Sequence, residues 1–510
     1  MEVQDITLLG SGIACTITLI EVLDRLLNKP PADKIKICVA ERSGEFWKGI
    51  PYGARSSVNA LTITSVLDFT NESERPAFFA WLRENKNTWA AYCREHGGIT
   101  AARWLDQNLP LIDAGQWDAV YTPRFLYGNY MAEKLDRLRK IAEEKGLIEV
   151  TEITAEAIDI NVMTDGLHEV VLEHEGGNTS TILTKKLVLS TGSAPVKTMH
   201  HPADGNVLYI NDIYEPSAKE NFKALQVLLE RTTAAESRNV LLIGSNASSI
   251  ELLYLLEGMP ALRQLINKVV VVSTSGMLPY HISTEVLPTH PIPHLDELKT
   301  DGNYDIKTLC DAAAKEIKSA MVNGANMDYV ATIVSTTLKM MEPLGEYAKK
   351  EFYCNYGLKL RDMFRRSGPD YKYGSQVLID LQQATLLKGR FIGTNPDSAG
   401  STFNYQDVET GETKTYPLTF NVIINCTGSH DLDRSSSRLL YNLVHKKIAV
   451  MNMSGKGFEV NERFEAAPNL YVMGPLLGGN VNKLIHFWQL ENASRLTYLA
   501  PYLVTELLGS

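Results

Sequence analysis

The chain opens with a strand that runs straight into a glycine turn and a helix. Asp5-Ile6-Thr7-Leu8-Leu9 is apolar and β-prone, Gly10-Ser11-Gly12-Ile13-Ala14-Cys15 follows, and Ile13 to Leu27 continues as an apolar helical run. A second strand, Ile35 to Ala40, ends on Glu41. Strand, glycine turn, helix, strand and terminal acid in this order predict a dinucleotide-binding βαβ unit. Gly10 permits the tight turn, and Gly12 lets the backbone approach a pyrophosphate. The helix start at Ile13 offers free N–H groups and a positive dipole end to phosphates. Glu41 is placed to accept hydrogen bonds from ribose hydroxyls. Cys15 takes the third glycine position, which only packs helix against strand, so a small thiol serves there.

The same device returns near residue 238. Asn239 to Ile243 reads as a strand, Gly244-Ser245-Asn246-Ala247-Ser248-Ser249 as the turn, Ile250 to Leu256 as the start of a helix, and Val269 to Ser273 as the next strand. Two such units this far apart are not a short-period repeat and predict two nucleotide domains in one chain. Between and after them, residues 76–95 and 124–145 carry helical apolar spacing. Residues 150–164 and 167–175 read as a hairpin around Thr164-Asp165-Gly166, and Thr410-Gly411-Glu412 as another hairpin tip. Residues 305–385 read as helical and hold Arg361, Arg365 and Arg366. Two apolar strands end in Thr-Gly, at Ser190-Thr191-Gly192 and Cys426-Thr427-Gly428. A last strand ends at Gly474-Pro475, followed by a glycine loop and a final helix expected from about Val481.

A chain of 510 residues is too long for a single core. A net charge of −10 argues against nucleic acid and anionic membranes as partners, since both call for a basic surface. No apolar run reaches the length of a membrane span, and no basic leader precedes the first strand, so the cytoplasm is the expected location. The six cysteines show no C-x-x-C spacing, so buried free thiols are expected rather than a redox pair or a zinc site. His281, His290 and His294 sit in a Pro-rich loop without compact ligand spacing, and no metal is expected. No Ser/His/Asp hydrolase pattern is present, and no catalytic acid/base pair stands out.

The order of these motifs resembles that of two-dinucleotide-binding-domain flavoproteins. Pro51-Tyr52-Gly53, Thr122 to Tyr130, Gly276-Met277-Leu278-Pro279, Asn425-Cys426-Thr427-Gly428 and Met473-Gly474-Pro475-Leu476 narrow it to a bacterial branch related to the flavin-dependent amino-acid N-monooxygenases. The resemblance implies an α/β fold of two Rossmann-like domains with the FAD domain discontinuous. Residues 1–205 would form its first part, 206–415 an NAD(P)H-binding-like domain with a helical insertion at about 305–385, and 416–510 the second part. It implies FAD at Gly10, Gly12, Ile13 and Glu41, with Trp47, Lys48, Asn59 and Thr64 beside the flavin. Gly192 and Gly428 would mark the crossovers, and Gly474, Pro475 and Asn480 would precede a helix aimed at the flavin. Gly244, Ser245, Asn246 and Ser248 would hold NAD(P)H. The F-x-G-x-x-x-H motif of Baeyer–Villiger enzymes is absent. Ser273-Thr274-Ser275 stands where relatives carry an Arg pair for the NADPH 2′-phosphate, so weak discrimination between NADH and NADPH is expected.

The function implied is an FAD-dependent, NAD(P)H-using monooxygenase that N-hydroxylates a small amino-acid-like amine through a flavin C4a-hydroperoxide. Its partners would be the substrate and O2, with a homo-oligomer left open. Arg361 and Arg365, at i, i+4 spacing, are the candidates for a substrate carboxylate. A plain NAD(P)H-dependent flavin oxidoreductase and a non-catalytic flavin-binding protein are the alternatives.

Overall fold

Val3–Leu9 is the centre of an eight-stranded sheet because it pairs in parallel on both sides, with Ile35–Glu41 and with Thr179–Leu189. Ile148–Thr154 extends the sheet beyond Ile35–Glu41, and Leu470–Val472 extends it beyond Thr179–Leu189, both in parallel. The computed structural model describes residues 2–199, 206–281, 291–322, 327–488 and 492–509. The helix Ile13–Asn28 lies on the sheet with most of its residues buried, packed between Arg124–Glu144 and Ala493–Leu508.

A second sheet is wholly parallel, in the order Ala384–Lys388, Lys268–Ser273, Asn239–Ile243, Val422–Asn425 and Leu208–Ile210. Its strands are continuous apolar runs, as a sheet covered on both faces requires; Val269 to Val272 are each at most 1% exposed. A three-stranded antiparallel sheet, Arg390–Asp397, Gly400–Gln406 and Thr413–Phe420, covers one face through Phe403 and Phe420. Helices from Pro293–Asp301 to Gly357–Met363 form an insertion with its own core, built on Leu309, Ala313, Ile317, Ile333 and Phe352. Pro369–Asp380 then returns to pack on Ala247–Glu257.

Four sequence expectations are corrected. Residues 76–95 form two helices, Arg75–Glu84 and Lys86–His96, that meet at Asn85. The hairpin is made by Glu156–Val162 and His168–Glu173, while Ile148–Thr154 leaves it for the parallel sheet. Parallel pairing with Ile35–Glu41 took the first half of what reads as one long strand. The final helix starts at Ala493 rather than Val481. Asn482 accepts hydrogen bonds from the Leu484 and Ile485 amides, and this side-chain turn folds Asn480–Val481 back on His486–Phe487. Val422–Asn425 belongs to the second sheet, so the chain returns to the first unit after the expected 416, with the helix Arg438–His445 packed on Glu156–Val162, and then adds Glu465–Ala467 and Leu470–Val472 to the first sheet. Each Thr-Gly device follows the strand of its own sheet. The two crossovers then run side by side, with the Lys197 amide donating to Gly428 O at 2.9 Å.

His168 ties the hairpin to the strand's return. It is 0% exposed, and its Nε2–H donates to Pro468 O at 3.0 Å. Burial lowers its pKa, and the Pro468 hydrogen bond opposes this in part. The unfolded chain takes up a proton near pH 6.5 that the folded chain resists. The His168 contribution is therefore fully present above that pH and declines as pH falls toward the lower folded value. Urea unfolding midpoints should fall between about pH 7.5 and about pH 5.5, and His168→Phe should flatten part of that slope while lowering stability at the upper pH.

Candidate functional site

Gly10 is a glycine for two reasons that meet at one atom. Its φ is +86°, and a Cβ there would lie 2.7 Å from Ser190 O, at the end of the neighbouring strand. Its amide donates to Ala40 O at 2.8 Å, and Ser190 Oγ donates to Leu9 O and Gly10 O at 3.0 and 2.8 Å. The turn is thereby locked between the two flanking strands. Gly12 caps the helix without any side-chain bond, so the cap position leaves the first helical amides from Ile13 onward uncapped. Only Gly49 Cα lies near a Cβ built on Gly12, at 3.6 Å, so the space before those amides is kept clear by the missing side chain. Cys15 is fully buried and its thiol is pushed far up by burial and Glu41, which leaves it an inert packing group.

Glu41 joins this turn to the next. One carboxylate oxygen accepts from Ser11 N and Oγ at 3.0 and 3.2 Å, the other from Ser43 N and Oγ at 2.9 and 2.8 Å. The following loop crosses the helix start. Trp47 has φ +77°, is 7% exposed, and accepts at its carbonyl from Thr16 Oγ1 at 2.7 Å. Lys48 is half-buried, with Asp136 in electrostatic range. Asn59 gives its side-chain amide to Gly97 O at 2.9 Å, and Thr64 is buried nearby. Gly192 and Gly428, at the two crossovers, have φ of +79° and +75° and nothing within 4 Å of a built Cβ.

The second turn repeats the first. The Gly244 amide donates to Val272 O at 2.8 Å, and a Cβ on Gly244 would lie 2.5 Å from Cys426 O. Ser273 therefore stands where Glu41 stands in the first unit. Ser245, Ser273 and Ser275 form a chain of hydroxyls, Oγ to Oγ at 3.3 and 3.2 Å. Asn246 is exposed and caps the helix Ala247–Glu257 without a side-chain bond, and Ser248 is half-exposed beside it. Lys388 is the strand partner of Ser273 and is paired with Glu409 at 2.6 Å.

Asn480, Arg361 and Arg365 each have partners within the protein. Asn480 is a scaffold residue: it accepts from Val460 N and donates to Phe458 O and Leu477 O at 2.7–2.9 Å. Gly474, with φ +102°, instead brings the closing loop to Ala14, 3.3 Å from a built Cβ, and Pro475 opens a short 3-10 turn. Arg361 and Arg365 share Asp362, at 2.6 and 3.3 Å, rather than facing a substrate as unpaired cations. His290 lies outside the described residues, and among the described residues no group of three His, Cys, Asp or Glu side chains is arranged to hold a metal. Among them, too, no helix is long and apolar enough to cross a membrane.

The seam between the two units holds residues that motif reading did not assign. Arg124 pairs with Glu251, which is 4% exposed, at 2.9 Å. Tyr214 and Tyr371 donate to the same carboxylate at 2.6 and 3.1 Å. Tyr371 Oη also accepts from Leu61 N at 2.8 Å. Burial works against the charge on Arg124 and is the largest single influence, but Glu251, Tyr371 and Tyr214 together outweigh it, and the pKa is raised. Arg124 lies inside the Thr122–Tyr130 motif; Glu251 and the two tyrosines that donate to it come from three other segments, so no local spacing could reveal them. Arg124→Met leaves a buried carboxylate unpaired and should cost about 3–5 kcal/mol in chemical denaturation. The double variant Arg124→Met/Glu251→Met should recover a large part of that loss.

Two glycine turns, each between parallel strands of its own sheet, joined by paired crossovers, define the two-dinucleotide-binding-domain class. A family described as FAD-NAD(P)-binding matches residues 7–194. An uncharacterized protein of Mycobacterium tuberculosis and another of Mycobacterium bovis are each 34% identical over 99% of this chain and 95% of their own length. The chain belongs to the family of these mycobacterial proteins. Among solved structures, the reduced form of the ornithine hydroxylase PvdA from Pseudomonas aeruginosa is similar over 99% of both chains, with TM-score 0.53 and 13% identity. The FAD-bound cadaverine monooxygenase DfoA of Erwinia amylovora covers 100% of this chain and 95% of its own, with TM-score 0.56 and 11% identity. The chain has their fold.

Proposed function

We propose that this protein is an FAD-dependent, NAD(P)H-using monooxygenase that hydroxylates an amine nitrogen of a small substrate. The observation that carries the reading is the first glycine turn: an uncapped helix start, a clear approach at Gly12, and an acid at the end of the next strand. These residues fit a dinucleotide. The amides from Ile13 onward would take the pyrophosphate, and Glu41 the ribose hydroxyls. Trp47 and Lys48 would wall the flavin, and Gly192, Gly428 and Gly474 would leave it room. Bound flavin supplies hydride acceptance and oxygen activation. The chain's own task is to hold the amine in line and to keep water out.

The fold relatives act on ornithine in one case and on cadaverine in the other, and both oxidise an amine-bearing molecule. A small amine is therefore the substrate class this reading assigns, with O2 as co-substrate. Gly244, Ser245, Asn246 and Ser248 would hold the nicotinamide dinucleotide, with the adenosine ribose near Ser273.

The purified protein should be yellow with non-covalent FAD. Gly12→Val should lose the flavin yet stay folded, because a Cβ at Gly12 meets only Gly49 Cα at ordinary contact distance. Amine-dependent NAD(P)H oxidation should yield hydroxylated product in stoichiometric amount. Reducing equivalents that leave only as H2O2 across a broad amine panel would replace this reading with a plain oxidoreductase.

Ser273 neither repels a 2′-phosphate, as an acid would, nor clamps it, as an arginine would. The kcat/KM values for NADH and NADPH should differ by less than about tenfold, about 1.4 kcal/mol. Lys388→Glu, beside Ser273, should shift the balance toward NADH in steady-state assays.

A further inference from the structure

Arg366 differs from its neighbours. Arg361 and Arg365 are ion-paired with Asp362, whereas the Arg366 side chain is half-buried and makes no hydrogen bond or ion pair with the described residues. The sequence reads 305–385 as helical with all three arginines on it, but the helix Gly357–Met363 ends before Arg365 and Arg366. Arg366 falls on a two-residue strand, Arg366–Ser367, paired in parallel with Tyr280–His281.

The position is held from several sides. The Tyr280 amide donates to Arg365 O at 2.7 Å. Two residues on, Gly368 passes so close to Tyr121 that a Cβ would lie 2.8 Å from the ring. Tyr371 then clamps the Leu61 backbone, at 2.8 Å from its amide and 3.0 Å from its carbonyl. The segments 61–66 and 120–123 are joined by the Thr62 amide on Thr122 O at 2.9 Å and the Val66 amide on Val120 O at 2.8 Å. Thr62 and Thr122 carry buried hydroxyls without a hydrogen-bond partner among the described residues. Burial pulls the Arg366 pKa down, and Asp68 and Tyr121 only partly offset it. A cation held in this way, with its charge opposed by burial and no hydrogen-bonded anion, is costly unless a ligand completes it.

We infer that Arg366, beside Tyr121, is an anion-binding residue at the seam between the insertion and the 59–70 segment, and that it takes the carboxylate of the substrate. The inference rests on the proposed monooxygenase reading, in which Asn59 and Thr64 of the 59–70 segment would lie beside the flavin. It assigns this chain to carboxylate-bearing amines rather than to simple diamines. The guanidinium offers the planar fork that a carboxylate fits with two hydrogen bonds.

FAD-loaded wild-type protein, Arg366→Gln and Arg366→Lys are titrated by calorimetry with L-lysine, L-ornithine and glutarate. Cadaverine and putrescine, which keep the amines and lack the carboxylate, are run beside them. The carboxylates should bind wild type more tightly than the diamines. Arg366→Gln should weaken them about ten- to hundredfold, and Arg366→Lys should recover part of the loss. FAD content reports folding, and if Arg366→Gln does not fold, the loss in Arg366→Lys relative to wild type carries the test. Tighter binding of the diamines, equal carboxylate affinity in wild type and both variants, or no binding by any probe overturns the inference. Carboxylate binding without any hydroxylated product would keep the anion site and remove the monooxygenase reading. Hydroxylation of a diamine without carboxylate binding would do the reverse.

Discussion

The buried ion pair between Arg124 and Glu251 is the constraint on which the arrangement of the molecule depends. Arg124 sits at the start of a helix on the first sheet, and Glu251 sits in the helix that follows the second glycine turn. Removing both charges from water is costly, and their attraction offsets that cost only with good geometry and further hydrogen bonds. Tyr214 and Tyr371 supply those bonds, and both hydroxyls stay protonated because burial and Glu251 hold their pKa values well up. One carboxylate thus fixes the first unit, the connector, the second unit and the helix Pro369–Asp380 against one another.

Close backbone approach supports the same seam. A Cβ on Gly374 would lie 2.9 Å from Tyr254 Cα, and one on Gly258 would lie 1.7 Å from Thr100 Oγ1. Arg103 adds a two-point pairing with Glu257 at 2.9 and 3.2 Å. Glycines let the helices meet closely enough for the charged groups to reach. The two glycine turns and the 59–70 segment are therefore held by the same interactions that join the units.

The two turns were legible because their chemistry is local. Gly10, Gly12 and Glu41 lie within one βαβ unit, and Gly244 to Ser273 within another, so spacing along the chain encodes proximity in space. The strands of the second sheet were equally plain, since a sheet covered on both faces demands unbroken apolar runs such as Val269 to Val272. Boundaries failed where two local outcomes compete. Residues after Asn480 are apolar enough for helix, but the Asn482 side chain captures two amides and turns the chain. Asn480 looked like a loop residue free for a ligand, yet three backbone groups fill its amide.

What the sequence alone determined is the class of fold and the existence of two dinucleotide turns, because both follow from periodicity and from glycine at positions where a Cβ would collide with the next strand. The tertiary structure decided which polar residues matter. Arg361, Arg365 and Arg366 are indistinguishable as a basic run. Packing pairs the first two with Asp362 and leaves the third half-buried, its side chain without a hydrogen-bonded partner among the described residues. Arg124 and Glu251 are 127 residues apart and meet only because the two sheets dock. A charge pair across such a distance leaves no periodic trace, since its energy depends on burial and geometry that the assembled units create.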